Sequence, residues 1–284
     1  MTELRFLTSD EISGLAAVEE YVSTVRDGYR ERGEGAPAQP RTKLVPDHVA
    51  GMMTGYLCIL PGREAMGGYM YAAGFGARDA WFVTPLFDAA SGELLAILDG
   101  ASMNPFNTGA AGAVGVDALA RDDADTLGII GTGPQARGQL HATATVRDFE
   151  AVRVYSRTPE HRREFAAEYD ETLEADVRAV DGSAAAVEGA DVVITATTAS
   201  EPVFDGDRLA PGAHVTAMGQ YDAGKRELDD TTIERAKYVP DLRERAFQDA
   251  GSFLGALENG VVGEDHVHAE LGEVVAGTAP GRER

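Results

Sequence analysis

Two rhythms of apolar and polar positions divide this chain. In the first, Ile12, Leu15, Val18, Val22, Val25 and Tyr29 recur at helical intervals behind Thr8 and Glu11, whose spacing is that of a capping box. The pattern predicts one helix, ending before Gly33-Glu34-Gly35. Pro37 and Pro40 interrupt it, and apolar runs at 41–45, 55–60, 68–73, 80–87 and 93–99 then read as successive strands parted by Pro, Gly and Asp turns. An antiparallel sheet is expected, with a hairpin at 87–93, where Asp88 and Gly92 relax the turn between two apolar runs. Asn107-Thr108 opens a small-residue helix over 109–120, which leads across 121–125 into the second rhythm.

From residue 126 onward, short apolar runs alternate with helical stretches. Runs at 127–130, 152–155, 177–180, 191–195, 214–218 and 237–239 read as six strands, with helices from near Pro159, over 183–188, and from near Asp230 and Leu242. This alternation predicts an α/β fold with a doubly wound parallel sheet of the Rossmann kind. Its first turn, Gly131-Thr132-Gly133-Pro134-Gln135-Ala136, has the G-x-G-x-x-G/A arrangement of a dinucleotide site. Gly131 suits a tight turn, Gly133 lets the backbone approach a pyrophosphate, and Ala136 lets the helix pack on its strand. The free N–H groups of that helix then face the phosphates. Thr195, Thr197, Thr198, Met218 and Gly219 fall at the carboxyl ends of their strands, where such sheets bind ligands.

The end of the second parallel strand bears on which dinucleotide is bound. An NAD site usually places Asp or Glu there for the ribose 2′-hydroxyl, whereas this chain has Ser156-Arg157-Thr158, followed by Arg162 and Arg163. We therefore expect NADP(H) in preference to NAD(H), with Arg157 pairing the 2′-phosphate and the hydroxyls donating to it. The alternative for Arg157 is an ordinary solvated charge.

Charge and composition narrow the class further. The 284 residues suffice for two cores, and 47 acidic against 25 basic residues give a formal charge of −22, which speaks against nucleic acid or an anionic membrane as a partner. Only Lys43, Lys225 and Lys237 are lysines, and acid excess with so few lysines suggests work in concentrated salt; an acidic mesophilic protein from a GC-rich genome is the alternative. The chain carries neither a signal-peptide pattern nor an apolar run of spanning length, and a lone Cys58 forms no intramolecular disulfide, so a cytoplasmic protein is expected. Cys58 itself reads as a core residue. No metal is expected, the nearest candidate being His266 and His268 beside Asp265 and Glu270.

Several strings together, GIIGTGPQA, GADVVITATT, PVFDG with LAPGAHVTAMG, GKREL and HAELGEVVAGTAPGR, resemble the ornithine cyclodeaminase and mu-crystallin family from about Phe82 onward. The resemblance implies a homodimer. An N-terminal α+β domain (1–121) would supply the dimer sheet and the substrate pocket, facing a Rossmann domain (122–255), while a segment (256–284) returns toward the first. It also implies hydride exchange between a nicotinamide and an amine or imine carbon of a small molecule. The family's early arginine corresponds to Arg41, its strand lysine to Met70, the arginine before the connecting helix to Asn107 with Thr108 beside the cofactor, and its aspartate to Tyr221, followed by Asp222 and Lys225. Three of four positions have changed type. Met70 and Asn107 do not offset a buried carboxylate, so a less charged imine or carbonyl compound is expected, with Tyr221 or Asp222 moving the proton; a plain structural aromatic is the other reading of Tyr221. Two function readings follow: an NADP(H)-dependent oxidoreductase acting on an imine, ketimine or amino-acid-like substrate, or a dimeric NADP(H)-binding protein with little or no catalysis. A true ornithine cyclodeaminase or alanine dehydrogenase ranks below both. Family members continue past the last string with a strand and a helix, and this chain ends at Arg284, so a shortened tail is expected.

Overall fold

The computed structural model of the protein describes residues 4–48, 50–75, 80–219 and 222–282. The first half contains β1 (Arg5–Leu7), α1 (Ser9–Ile12), α2 (Val18–Gly33), β2 (Ala38–Leu44), β3 (Met52–Leu60), β4 (Ala65–Ala73), β5 (Ala80–Asp88), β6 (Leu94–Leu98) and α3 (Asn104–Leu119). Its six strands form one sheet in the order β1-β6-β5-β4-β3-β2. Strands β2 to β6 pair antiparallel as the turns predict, but β1 joins β6 in parallel, with Phe6 opposite Ile97, so the sheet is mixed. A three-residue strand carries no readable period. The hairpin at 87–93 is built around Asp88, whose Oδ1 accepts from the Ala90 N–H (3.1 Å), the Ser91 N–H (2.6 Å) and the Ser91 hydroxyl (2.7 Å).

The single N-terminal helix expected from periodicity is two. The capping box forms, with the Glu11 N–H donating to Thr8 Oγ1 (3.3 Å) and the Thr8 N–H to Glu11 Oε2 (2.9 Å), yet α1 lasts one turn. Gly14 then takes a left-handed φ of 78°, which throws Leu15 out to 72% exposure before α2 begins. Helix α3 begins three residues ahead of Asn107, with Pro105 in its first turn, where a missing N–H costs nothing. Cys58, expected in the core, is exposed, because its cross-strand neighbours Ala38 and Gly67 are too small to cover it.

The second half contains β7 (Thr126–Ile130), α4 (Pro134–Thr143), β8 (Ala151–Tyr155), α5 (Pro159–Asp170), β9 (Asp176–Ala179), α6 (Ser183–Val187), β10 (Val192–Thr195) and β11 (His214–Ala217), then α7 (Asp230–Arg235), α8 (Arg243–Asp249), α9 (Gly251–Glu258) and α10 (Leu271–Val275). The strands form a parallel sheet in the order β11-β10-β7-β8-β9. It has five strands, not six. At 237–239 there is only an isolated bridge from Tyr238 to Val267, because Pro240 follows and the Tyr238 ring stacks on Phe253, 4.7 Å between centroids. Leu127, Ile129, Val152, Val154, Val192 and Ile194 are all fully buried, which is why this sheet reads as continuous apolar runs, not as alternation. The order reverses between β7 and β10, and that reversal opens a crevice at their carboxyl ends. Among the described residues no helix is long and apolar enough to cross a membrane.

The two halves meet through helices. α3 packs on α4, and α10 lies against α2, where Arg32 Nε and Glu270 pair at 3.3 Å. On its inner face the six-stranded sheet presents Tyr69, Tyr71 and Phe82, a ring cluster with centroids 5.1–5.8 Å apart. Its outer face leaves Met53, Leu57, Met70, Trp81, Val83 and Leu95 exposed.

One group makes stability depend on pH. Burial, with the Arg282 and Arg147 guanidinia nearby, pushes the His214 imidazole on β11 down to about 4. The folded state thus prefers the neutral ring, so this contribution is full above the ordinary value near 6.5 and is lost as pH falls toward 4. Denaturant titrations at pH 7.5 and 4.5 should show a loss of about 2 kcal/mol that His214→Gln does not suffer, the ring's partial exposure discounting the full shift; equal losses in both proteins would discharge His214 from this role.

Candidate functional site

The glycine turn after β7 has the geometry its sequence asks for. Gly131 takes φ 117°, and a Cβ there would lie 2.2 Å from the Ala196 carbonyl oxygen, so both conformation and space demand glycine. Gly133 caps α4, and a Cβ on it would meet nothing within 4 Å, which leaves open room above the first helical turn. Pro134 opens α4, and Ala136 is fully buried against the sheet. These residues fit a dinucleotide pyrophosphate: an open cradle, a helix start, and no side chain in the way.

At the end of β8, Arg157 and Thr158 are exposed and Ser156 Oγ donates to the Thr158 carbonyl (3.1 Å). Arg162, expected beside them, is committed elsewhere. It donates to the Ser156 carbonyl (3.0 Å), pairs with Asp181 (2.7 Å) and lies over the Tyr155 ring at 5.7 Å. Arg163 is exposed.

Across the crevice, the ends of β10 and β11 are tied together by a residue the sequence reading passed over. Glu227, 1% exposed, accepts from Thr195 Oγ1 (3.0 Å), the Thr197 N–H (2.7 Å), Thr197 Oγ1 (2.6 Å) and the Gly219 N–H (2.8 Å). Burial pushes its carboxyl up, and these donors pull it part of the way back. The only hint was its place inside GKREL, two residues past Lys225. Thr195 is buried, Thr197, Met218 and Gly219 are half-buried, and Thr198 is exposed. Lys225 is exposed, and Asp222 is half-buried, its Oδ1 accepting from the Gly224 N–H (3.0 Å). Tyr221, the expected proton donor, lies with Gln220 outside the described residues.

The facing half differs from expectation at β4. Met70 pairs with Gly55 and Val83 and points to the outer face, 38% exposed, away from the crevice. Successive strand residues face opposite sides, so the inner position belongs to Tyr69. Its hydroxyl accepts from Asn104 Nδ2 (2.6 Å), whose Oδ1 in turn accepts from Gln135 Nε2 on α4. Burial pushes the Tyr69 hydroxyl up, and the Asn104 hydrogen bond pulls it part of the way back. Asn107 and Thr108 sit on α3, Thr108 Oγ1 donating to Asn107 Oδ1 (3.3 Å) while the Thr108 carbonyl accepts from Gln139 (2.9 Å). Arg41 is 2% exposed. Its guanidinium pairs with Asp249 on α8 and donates to the Tyr71 hydroxyl (3.3 Å), and Gln248 donates to its carbonyl (2.6 Å). His266 and His268 each engage a backbone carbonyl, of Ile233 (2.7 Å) and Pro280 (2.8 Å).

A parallel sheet with this strand order, a glycine turn at its switch point and an open helix start define a Rossmann-type dinucleotide-binding protein. The profile of the ornithine cyclodeaminase/mu-crystallin family matches residues 3–284, and the chain belongs to that family. It is 36% identical over 202 residues to a Delta(1)-pyrroline-2-carboxylate reductase of Bacillus cereus, an alignment covering 71% of this chain and 62% of that protein. The chain thus spans less than two thirds of that relative's length. Among solved structures it is similar to the Delta(1)-pyrroline-2-carboxylate reductase of Thermococcus litoralis in complex with NADH and L-proline, with a TM-score of 0.92 at 32% identity over 99% of this chain and 89% of that one. It is also similar to a dimeric archaeal alanine dehydrogenase with bound NAD, with a TM-score of 0.91 at 28% identity over 99% and 87%.

Proposed function

We propose that this protein is an NADP(H)-dependent oxidoreductase that exchanges hydride with an imine, ketimine or amino-acid-like carbon. The observation that carries the reading is the cradle at Gly131 and Gly133, set beside the end of β8 by the Gly131 N–H donating to the Tyr155 carbonyl (2.9 Å), with no carboxylate among Ser156, Arg157 and Thr158, which follow β8. Gly131, Gly133 and the start of α4 would hold the pyrophosphate, Ser156, Arg157 and Thr158 the 2′-phosphate, and the ends of β10 and β11 the nicotinamide side. The bound dinucleotide supplies or accepts the hydride. The chain's part is to hold the acceptor carbon over the crevice, exclude water, and move one proton at the reacting nitrogen; Tyr69, Tyr221 and Asp222 are the candidate groups for the proton. The pyrroline reductases supply one substrate class to try, cyclic imines bearing a carboxylate, to be set beside less charged cyclic imines, since Asp249 already meets Arg41.

The exposed apolar outer face of the six-stranded sheet supports a homodimer formed through it, since a monomer rarely leaves so large a patch uncovered. A second reading, a dimeric NADP(H)-binding protein with little catalysis, is favoured by one observation: the Arg41 guanidinium is already met by Asp249, leaving less charge for a substrate carboxylate.

Binding and turnover separate the readings. In molar KCl, NADPH should bind at least about tenfold more tightly than NADH, and Arg157→Ala should erase the difference, as expected for charge-assisted hydrogen bonds of about 1.5–3 kcal/mol. Equal affinity of the parent chain for the two would sink the NADP(H) assignment. NADPH binding without reduction of any cyclic imine, or of any 2-oxo acid with ammonia, would favour the binding protein.

A further inference from the structure

We propose that Glu227 is the positioning residue of the nicotinamide half of the cleft, fixing the ends of β10 and β11 against each other and, through them, the glycine turn. This rests on the dinucleotide reading above. In the sheet order, β8 with Arg157 lies on one side of β7, and β10 and β11 lie on the other. A dinucleotide whose phosphorylated ribose sits at β8 and whose pyrophosphate sits at Gly131 to Gly133 therefore carries its nicotinamide toward the β10 and β11 ends.

The carboxylate suits this task for a geometric reason. Each of its oxygens accepts one backbone N–H that has no freedom to turn: Oε1 from Thr197 (2.7 Å) and Oε2 from Gly219 (2.8 Å). Both oxygens must therefore be acceptors, and one rigid group sets the spacing of the two strand ends. The Thr195 and Thr197 hydroxyls complete the set. Glu227 is itself held: its N–H and that of Leu228 donate to Ser252 Oγ (3.2 and 3.1 Å), and its carbonyl accepts from Val203 (2.9 Å). The contact continues outward. A Cβ on Gly219 would fall 2.4 Å from the Thr197 carbonyl oxygen and 2.6 Å from Glu227 Oε1, and one on Gly131 would fall 2.2 Å from the Ala196 carbonyl oxygen. Glu227, Gly219, the Ala196-Thr197 backbone and Gly131 thus form one packed layer across the floor of the crevice. A shift at Glu227 reaches the dinucleotide turn without touching Arg157.

Glu227→Gln breaks this layer in either amide orientation, because the NH2 group meets the N–H of Thr197 or that of Gly219. The test uses the full chain and two probes, measured by titration calorimetry: the tighter-binding of NADPH and NADH, and the matching adenosine fragment that lacks the 5′-phosphate and so does not reach the glycine turn, adenosine 2′-monophosphate or adenosine. For Glu227→Gln we expect the dinucleotide Kd to rise about tenfold or more, the effect of one buried unpaired donor, while the fragment Kd stays within about twofold. A dinucleotide Kd within twofold of the parent, or an equal loss of both probes, would overturn the positioning role, the latter by showing a general structural effect. If Glu227→Gln does not fold, Glu227→Asp serves, since it keeps the charge but is one methylene too short to hold the Thr197 and Gly219 N–H groups together; loss of dinucleotide affinity with the fragment Kd unchanged supports the proposal, and unchanged dinucleotide affinity defeats it. A parent chain that binds neither NADPH nor NADH removes the dinucleotide reading itself, and the proposal with it.

Discussion

Asp249→Ala will destabilise the protein by about 3–5 kcal/mol, the cost of stranding a buried cation. Arg41 and Asp249 are 2% and 7% exposed, and their charges meet where β2 passes α8. A second guanidinium stands close by, since Arg245 Nη2 lies 3.9 Å from Asp249 Oδ1 while its Nη1 pairs with Asp241 at 2.5 Å. Its face lies over the Tyr56 ring at 5.6 Å. Removing Asp249 therefore leaves two cations facing each other with little water between them. The loss is one of pairing and not of carboxylate as such. Arg41→Met combined with Asp249→Leu should recover most of the stability, because an apolar pair of similar volume avoids the desolvation of both ions. Urea midpoints of the parent, the single variant and the double variant decide it. A single variant within about 1 kcal/mol of the parent would show that water reaches Arg41 after all.

Gly138→Ala is expected to cost about 3 kcal/mol, toward the upper end for an overpacked contact, and to weaken dinucleotide binding about tenfold. Helices α3 and α4 cross in backbone contact: a Cβ on Gly138 would lie 2.1 Å from the Pro105 carbonyl oxygen, and one on Gly109 would lie 2.2 Å from the Gly138 carbonyl oxygen. Neither neighbour is a side chain able to swing aside, so the helices must separate. Since α4 starts at the glycine turn, its displacement carries that turn with it. Gly115→Ala on α3 is the matched control. A Cβ there meets nothing within 4 Å, and the change should stabilise by about 0.5–1 kcal/mol through helix propensity. Equal melting temperatures for the two variants would rule out the backbone crossing as the cause.

Features written in local sequence were legible. The glycine turn, the buried runs of the parallel sheet and the Asp88 hairpin each rest on residues adjacent in the chain, and the structure forms all three. Local pattern failed where a neighbour distant in sequence, or a single φ, decided the outcome. Gly14 cut a helix whose apolar spacing continued across it. Strand β1 exists because β6 offers it an edge. The assignment of Met70 to the crevice was a one-residue slip, and the alternation of Tyr69 and Tyr71 about it would have corrected this. Glu227 and Asp249 were not legible as partners, since one acidic residue among forty-seven looks like any other until burial singles it out.

The union of Arg41 with Asp249 also sets an order of events during synthesis. The two residues are 208 positions apart, so at ribosomal elongation rates of about 5–20 residues per second the cation waits about 10–40 s for its counter-ion. During that interval the six-stranded sheet is complete in sequence but lacks both α8 and α10, and its outer apolar face is bare as well. The strands of the parallel sheet are contiguous from Thr126 to Ala217 and can pair as they emerge, though one face still awaits Phe253, Ala256 and Val267. Nascent chains stalled before Asp249 should therefore be the ones that a chaperone holds, with the buried cation of the earlier half still waiting for its counter-ion.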